Sequence, residues 1–527
     1  MVGMLAAPPA SRAQSSQEPP EQAQPPVMEQ AQPPATIPVQ GFTISGNRVV
    51  PTWDLAQVLT PFVDQTLTLV DLERVADLIT DEYRRRGYSL AKAYLPEQKI
   101  KFGIVEIAVL EGYAGNLDIT GNKFYSTAFI RRYFGKVYDE EAIKYSSLER
   151  ALLLLSDNPD LSVSAILQPG KVVGTTDIVA KAQDKRPIHV SAGYNNFGVP
   201  FISRDRFDLG LEVGNALLPG AVFTANLIIG NDTRNLFFQL GSYSVPVGGQ
   251  GTRLVLSGSN GNFDVGAFLA DFKITGTLQT YDISITHPLI RSRVDNLFLD
   301  VGYLAKDNKL SLLDNVIGND ALRMLKLGVS FDRTDTTGRT FLSVYGYQGL
   351  GHILGGMADN APDATRKGAD NRFQHVNVAV GRTQSLWDRT FLILRGTGQM
   401  ATGPLPVIEE FFLGGADSVR GYILGERLGD DGYAVSAELR FPVPYVSVAQ
   451  FGLFIDNGAA RIRSPSVGQQ AYYSLTGVGP GLRVNLPWYD AALRVDLGFP
   501  IEPPKTQTGS LSGGSSPTLY LGINARL

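Results

Sequence analysis

Leu325-Lys326-Leu327-Gly328-Val329-Ser330-Phe331-Asp332 is the stretch that decides the fold. Every odd position is apolar, and the even positions are Lys, Gly, Ser and Asp. A period of two puts these sets on opposite faces of one strand. The pattern returns throughout the C-terminal two thirds of the chain, from about Ile188. Phe207, Leu209, Leu211 and Val213 alternate with Asp208, Gly210 and Glu212. Tyr433, Val435, Ala437, Leu439 and Phe441 alternate with Ala434, Ser436, Glu438 and Arg440. Leu493, Val495, Leu497 and Phe499 alternate with Arg494, Asp496 and Gly498. At the end, Leu519, Leu521, Ile523, Ala525 and Leu527 alternate with Tyr520, Gly522, Asn524 and Arg526. About sixteen such segments of about ten residues follow Lys185, separated by turn residues or longer polar loops.

A soluble sandwich also alternates, but its loops are short and its apolar face meets a second sheet. Here one face carries charges along nearly every strand, as a wet lumen requires. A charge turned to lipid would cost about 2–4 kcal/mol at the bilayer midplane. The even count predicts a closed transmembrane barrel of 16 antiparallel strands over residues 186–527.

The bulk numbers agree. A chain of 527 residues exceeds one ordinary domain. Its 43% hydrophobic and 19% charged content suits a folded protein. Its 56 glycines and 21 tyrosines suit a barrel with crowded walls and aromatic girdles. A net charge of −4 gives no nucleic-acid surface. With no cysteine, disulfides, thiolate metal sites and Cys nucleophiles are excluded. No apolar run approaches the roughly 18 residues of a membrane-crossing helix, so any crossing rests on closed strands.

Before the barrel the organisation differs. Residues 1–13 read as the remnant of a signal peptide, with apolar Val2 to Ala7 leading to Ser11-Arg12-Ala13. Residues 14–40 are a Pro/Gln-rich linker in which Glu-Gln-Ala-Gln-Pro-Pro begins at Glu21 and again at Glu29. An internal repeat follows: Ile44-Ser45-Gly46-Asn47 is echoed by Ile119-Thr120-Gly121-Asn122, each closing a short strand. Helical periodicity comes next. Leu72, Val75, Ala76, Ile79 and Tyr83 share one face, opened by Thr68 with Asp71. In the second copy Ser146 and Glu149 are expected to form a capping box ahead of Leu148, Leu152 and Leu155. Two strands close each copy, Leu90 to Leu95 with Ile104 to Leu110, and Leu161 to Leu167 with Thr176 to Ala182. The prediction is two β-α-α-β-β modules, residues 41–113 and 114–185.

Enzyme chemistry finds no constellation, and no metal or cofactor site is expected. His189, His287, His352 and His375 lie at neither metal-ligand nor triad spacing. The most specific signal is the long connection 401–431, containing Leu413-Gly414-Gly415-Ala416-Asp417-Ser418-Val419-Arg420-Gly421-Tyr422. An arginine among apolar residues and glycines is unlike a solvated loop tip. It reads as a loop folded into the barrel, carrying one cation to a partner. Strand phase offers that partner. Phe451, Leu453 and Ile455 face lipid, so Phe454 and Asp456 of Phe454-Ile455-Asp456-Asn457-Gly458 face the lumen. An Arg–carboxylate pair there would be strong and directional. The alternative, left open by spacing, has Arg420 in solvent and Asp456 on another wall base such as Arg494.

These residues resemble the two-partner secretion transporters (TpsB proteins), within the wider outer-membrane assembly and translocation superfamily. The resemblance extends from about Pro38. Its anchors run from Arg86-Gly87-Tyr88 through Ala93-Tyr94-Leu95-Pro96 to Glu111-Gly112, then Leu148 to Leu153, Pro169-Gly170 and Gly174 to Asp177. In the barrel they are Val419-Arg420-Gly421-Tyr422 and Phe454 to Gly458. The resemblance implies POTRA modules in the periplasm of a Gram-negative cell and a barrel in its outer membrane. It implies an inward loop with Arg420 on Asp456, so that Val419, Arg420, Gly421, Tyr422, Phe454, Asp456 and Gly458 carry latch and transport. It further implies export, without nucleotide, of one unfolded TpsA-type adhesin or haemolysin recognised by the POTRA modules. The expected partners are that protein and lipid, with a monomeric barrel and no nucleic acid. A factor that assembles other barrel proteins is the competing expectation, and a passive porin leaves the two modules unexplained. Two departures stand out. Residues 14–40 hold too many prolines for a stable plug helix, and the chain ends on Leu527 where the family commonly has an aromatic residue.

Overall fold

The computed structural model describes residues 35–487, 490–501 and 516–526. The signal-peptide reading, most of the Pro/Gln-rich segment and Leu527 fall outside them. The first unit contains β1 (Thr36–Val39), β2 (Gly41–Ser45), α1 (Thr52–Leu59), β3 (Gln65–Thr68), α2 (Leu69–Arg85), β4 (Lys92–Tyr94) and β5 (Ile104–Leu110). The second contains β6 (Tyr113–Thr120), α3 (Thr127–Tyr133), α4 (Gly135–Asp139), α5 (Tyr145–Ser156), β7 (Leu161–Pro169) and β8 (Thr175–Asp184).

The two units repeat one topology. Their sheets run β2-β5-β4 and β6-β8-β7, each with a parallel pair beside an antiparallel one. The apolar face of α2 expected from its periodicity is buried, including Leu72, Val75, Ile79 and Tyr83. Thr68 and Asp71 cap that helix reciprocally, a device contributing about 1 kcal/mol. The repeated Gly-Asn turn works the same way twice. Asn47 Nδ2 donates to Val50 O and Asn122 Nδ2 to Tyr125 O. A carboxylate from the end of the central strand then collects the following amides. Glu111 takes Arg48 N and Val49 N; Asp184 takes Lys123 N, Phe124 N and Tyr125 N. Burial works to raise the Asp184 pKa, but these amides outweigh it and hold the carboxyl below its ordinary value.

Three expectations are corrected here. Thr36–Val39, assigned to the linker, pairs antiparallel with Gln65–Thr68, so the first unit begins before residue 41. The strand expected over Leu90 to Leu95 is only Lys92–Tyr94. Ser146 and Glu149 form no capping box: α5 starts after Lys144 without a side-chain cap. Ser147 instead donates to Glu140 Oε1 at 2.6 Å, and Glu149 faces Arg293 at 3.4 Å.

The barrel is closed and has 16 strands. Ten consecutive ones are β9 (Ile188–Asn195), β10 (Arg206–Gly214), β11 (Val222–Gly230), β12 (Leu236–Val247), β13 (Thr252–Asp264), β14 (Thr275–Arg291), β15 (Asp295–Leu312), β16 (Asn315–Asp335), β17 (Gly338–Gly349) and β18 (Gln374–Ser385). After β19 (Phe391–Ala401) come two short loop strands, β20 (Phe411–Leu413) and β21 (Arg427–Gly429). The wall resumes with β22 (Asp431–Val443), β23 (Val446–Arg461), β24 (Tyr472–Leu486), β25 (Ala491–Pro500) and β26 (Thr518–Arg526). Neighbours pair antiparallel, and β26 closes on β9 through Gly522–Arg526 and Ser191–Asn195.

Sidedness follows the period of two. Leu325 and Leu327 are 51% and 57% exposed on the outer wall. Lys326 between them turns inward, 2.8 Å from Asp282 and 3.0 Å from Asp300. Among the described residues no helix is long and apolar enough to cross a membrane, and it is this outer apolar band that suits lipid.

The second unit is bolted to the end where the chain joins the barrel. Arg150 donates to Pro288 O at 2.5 Å and Gln250 O at 3.1 Å. Arg291 makes a two-pronged pair with Asp157, and Asn215 donates to Phe124 O.

Candidate functional site

The connection between β19 and β22 folds into the lumen. Leu413, Val419 and Tyr422 are completely buried against Ala434, Ala460 and Leu475 of the inner wall. The loop lies close because the wall is thinned beneath it. A Cβ on Gly458 would stand 2.5 Å from Leu413 Cδ1 and 3.2 Å from Val419 Cγ2. Gly421 has φ +105° and its Cβ would meet Pro500 N at 2.9 Å, so only glycine fits. Tyr422 donates to Thr476 O at 3.1 Å, and its own carbonyl accepts from Tyr520 at 2.5 Å.

At the tip Arg420 is 3% exposed. Its Nε and Nη2 donate to Asp456 Oδ2 and Oδ1 at 2.7 and 2.9 Å, and its backbone N–H to Oδ2 at 3.1 Å. Nη1 reaches Glu438 Oε2 at 2.9 Å, and Nη2 reaches Ser436 Oγ at 3.2 Å. The guanidinium carbon lies over the Phe454 ring, 3.4 Å from its centroid, a cation–π contact. All seven residues singled out from sequence therefore meet in one place: Val419, Arg420, Gly421 and Tyr422 from the loop, Phe454, Asp456 and Gly458 from β23.

The structure adds partners that the sequence reading did not assign. Glu438 also accepts from Arg440 at 2.5 Å and lies 3.3 Å from Arg483. Asp496 stands 2.7 Å from both Arg483 and Arg494. Arg494 is thus taken by Asp496 instead of Asp456, and it grips the loop itself, through Asp417 at 2.6 Å and the Ala416 carbonyl. Four arginines face four carboxylates, so the cluster balances its own charge, the condition under which buried ions are tolerable. Strand phase had already put Glu438 and Asp496 on the polar face. What it lacked was the height at which the loop tip arrives.

The neck of the loop is anchored by a second set of ion pairs. Buried Glu409 meets Lys306 at 2.6 Å and His375 at 3.3 Å. Arg366, from the preceding loop, joins Glu410 at 2.7 Å and Asp430 at 2.6 Å. At the tip the loop's Arg420 meets wall carboxylates and its Asp417 meets Arg494, whereas the neck presents the buried Glu409 to Lys306 and His375, so the loop is tied to the wall at two depths.

Residues 174–484, more than half of the chain, match the haemolysin secretion/activation protein family ShlB/FhaC/HecB. The chain belongs to that family. Residues 37–112 match the ShlB-type POTRA domain, which fits a first unit that begins with β1. Among relatives, the heme/hemopexin transporter protein HuxB of Haemophilus influenzae is 26% identical over 452 residues, 83% of this chain and 79% of its own. The outer membrane transporter CdiB of Escherichia coli O6:K15:H31 is 25% identical over 449 residues, covering 80% of this chain and 72% of its own. The solved structure of CdiB from Escherichia coli shares the fold, with TM-score 0.79, 20% identity, and coverage of 96% of this chain and 93% of that one. The family member described here is accordingly an outer-membrane transporter of the two-partner secretion type, with its N-terminal POTRA region in the periplasm.

Proposed function

We propose that this member of the family exports one unfolded partner protein, an adhesin or haemolysin of the TpsA type, through its own barrel without consuming nucleotide. The POTRA region receives the partner in the periplasm and a monomeric barrel passes it outward. One observation carries this reading: a wide barrel whose lumen holds a loop by breakable ion pairs, Arg420 to Asp456 and Glu438 above all. A permanent plug would be served better by apolar packing, because buried ion pairs rarely outdo hydrophobic replacements in stability. Charged contacts confer orientation and can be exchanged for water when the loop moves. Val419, Arg420, Gly421, Tyr422, Phe454, Asp456 and Gly458 act together as the latch.

The test uses the full chain in lipid nanodiscs and the N-terminal secretion domain of a candidate TpsA-type partner. Saturable binding that disappears when residues 36–112 are deleted supports the export reading. Binding of unfolded barrel proteins in place of that domain would favour the assembly-factor reading.

A further inference from the structure

The latch occupies only one side of the lumen. Its charged partners, Glu438, Arg440, Asp456, Arg483, Arg494 and Asp496, all lie on β22 to β25. The wall of β11 to β13 has a different chemistry. Phe223, Tyr243 and Leu256 pair across β11, β12 and β13 on the lipid side, so the intervening residues turn inward. Thr224 pairs with Ser242 and Ser242 with Ser257; Asn226 pairs with Leu240 and Leu240 with Ser259. One charge lies on this inner face, Arg253 at the periplasmic end, and it is held by Ser244 and the Gly220 carbonyl. From there outward the three strands offer the lumen hydroxyls, an amide, glycine and apolar carbon.

A cavity of about 520 Å³ adjoins this wall, bounded by Gly193, Asp208, Gly210, Asn226 and Leu240, with Arg494 on the latch side. The carboxylates that flank this wall are already engaged: Asp208 accepts from Asn195 at 2.8 Å, Glu212, across from Thr224, accepts from Arg526 at 2.8 Å, and Asp282, across from Ser257, is held by Lys326 at 2.8 Å. A second observation points to the same strands. The second α/β unit docks on their feet, since Asn215 lies in the β10–β11 turn, Gln250 in the β12–β13 turn and Pro288 at the end of β14. A chain leaving that unit arrives under the neutral wall.

Conduction requires contacts that admit the traveller and then let it go. The fate of Lys326, fastened between Asp282 and Asp300, illustrates what a wall charge does to an opposite one. Hydroxyls and amides exchange hydrogen bonds with water at a net of only about 0.5–1.5 kcal/mol each. We propose that the inner faces of β11 to β13 are the sliding surface of the exported chain. Its occupant is an extended, unfolded polypeptide whose main-chain amides trade hydrogen bonds with Thr224, Asn226, Ser242, Ser257 and Ser259. This rests on the export reading above and adds the route and the chemistry of contact.

The chain has no cysteine, so single replacements report one position each. The full chain is placed in planar bilayers as Asn226→Cys, Ser259→Cys and, on the inner face of β19, Thr397→Cys. A small charged thiol reagent is added with or without an unfolded peptide of Gly, Ser, Thr and Asn. At a peptide concentration about four times its Kd, modification at Asn226→Cys and Ser259→Cys slows about fivefold, and that at Thr397→Cys is unchanged. Protection of Thr397→Cys with none on β11 to β13 overturns the route while leaving export intact. A peptide that neither blocks ionic current nor protects any position overturns the export reading itself.

Discussion

Two stretches of the barrel wall face one lumen with opposite chemistries. On β22 to β25 the inner face carries Glu438, Asp456, Arg483, Arg494 and Asp496, all committed to one another or to the loop. On β11 to β13 it carries Thr224, Asn226, Ser242, Ser257 and Ser259, and between Arg253 and the outer rim it has no charge. Both stretches satisfy the same alternation, because lipid constrains only their outer faces. The difference shows that the lumen side is free to specialise, with reciprocal charge around the loop and neutral hydrogen-bonding groups on β11 to β13; on the proposals above, the first holds a part and the second lets a chain slide.

The contrast can be broken by exchanging single residues, beginning with the largest effect. Asp456→Ala leaves Arg420 buried with its main acceptor gone, a change of about 3–5 kcal/mol. Partner export should fall by about two to three orders of magnitude, since each 1.4 kcal/mol is about tenfold. Ser259→Ala on the other wall should leave it within about twofold, because removing one half-buried lumen hydroxyl costs about 0.5 kcal/mol. Equal effects in a secretion assay would erase the distinction between the walls. Next, Arg494→Ala removes the wall's grip on Asp417 and Ala416 but leaves Asp496 with Arg483. It should loosen the loop about tenfold, at about 1.5 kcal/mol for one charged contact, read as more frequent openings in single-channel recordings. Gly421→Ala forces a side chain into positive φ, costing about 1–2 kcal/mol. It should raise opening frequency to a similar or smaller degree, whereas Gly241→Ala, with open space around its Cβ, should not. The smallest effect is expected at the docking face. Arg150→Ala removes two carbonyl contacts and about 1 kcal/mol, giving faster proteolysis between the second unit and β9 with the barrel still intact.

Much of this architecture is legible in the residues, for reasons that can be named. A lipid-facing strand leaves little choice on one side, so alternation exposes the barrel and puts Asp456 inside. The repeated units show because the same Gly-Asn turn and amphipathic helix serve both. What escapes is whatever local pattern does not govern. Thr36–Val39 is a strand although Pro38 lies within it, because the two-stranded β1–β3 ladder gives the imide an edge position where no N–H is required. Ser146 looks like a cap, but Lys144 extends over the Tyr88 ring and the helix begins two residues earlier than a Ser146 cap would allow. Glu438 and the neck anchor Glu409–Lys306–His375 join residues far apart in sequence. No spacing rule reports how deep a loop reaches or which rim strand its neck crosses.

The central claim is that Arg420 holds a movable latch within an export channel. Its most direct test is secretion of the partner by cells carrying Arg420→Ala, with insertion of the barrel followed by heat-modifiable migration in the outer membrane. The account predicts a barrel inserted at normal levels and partner lost from the cell surface and medium by roughly two orders of magnitude. Arg420→Lys, which keeps the charge but loses the two-pronged geometry, should restore only a minor part. Undiminished secretion by Arg420→Ala, with the barrel correctly inserted, would contradict it.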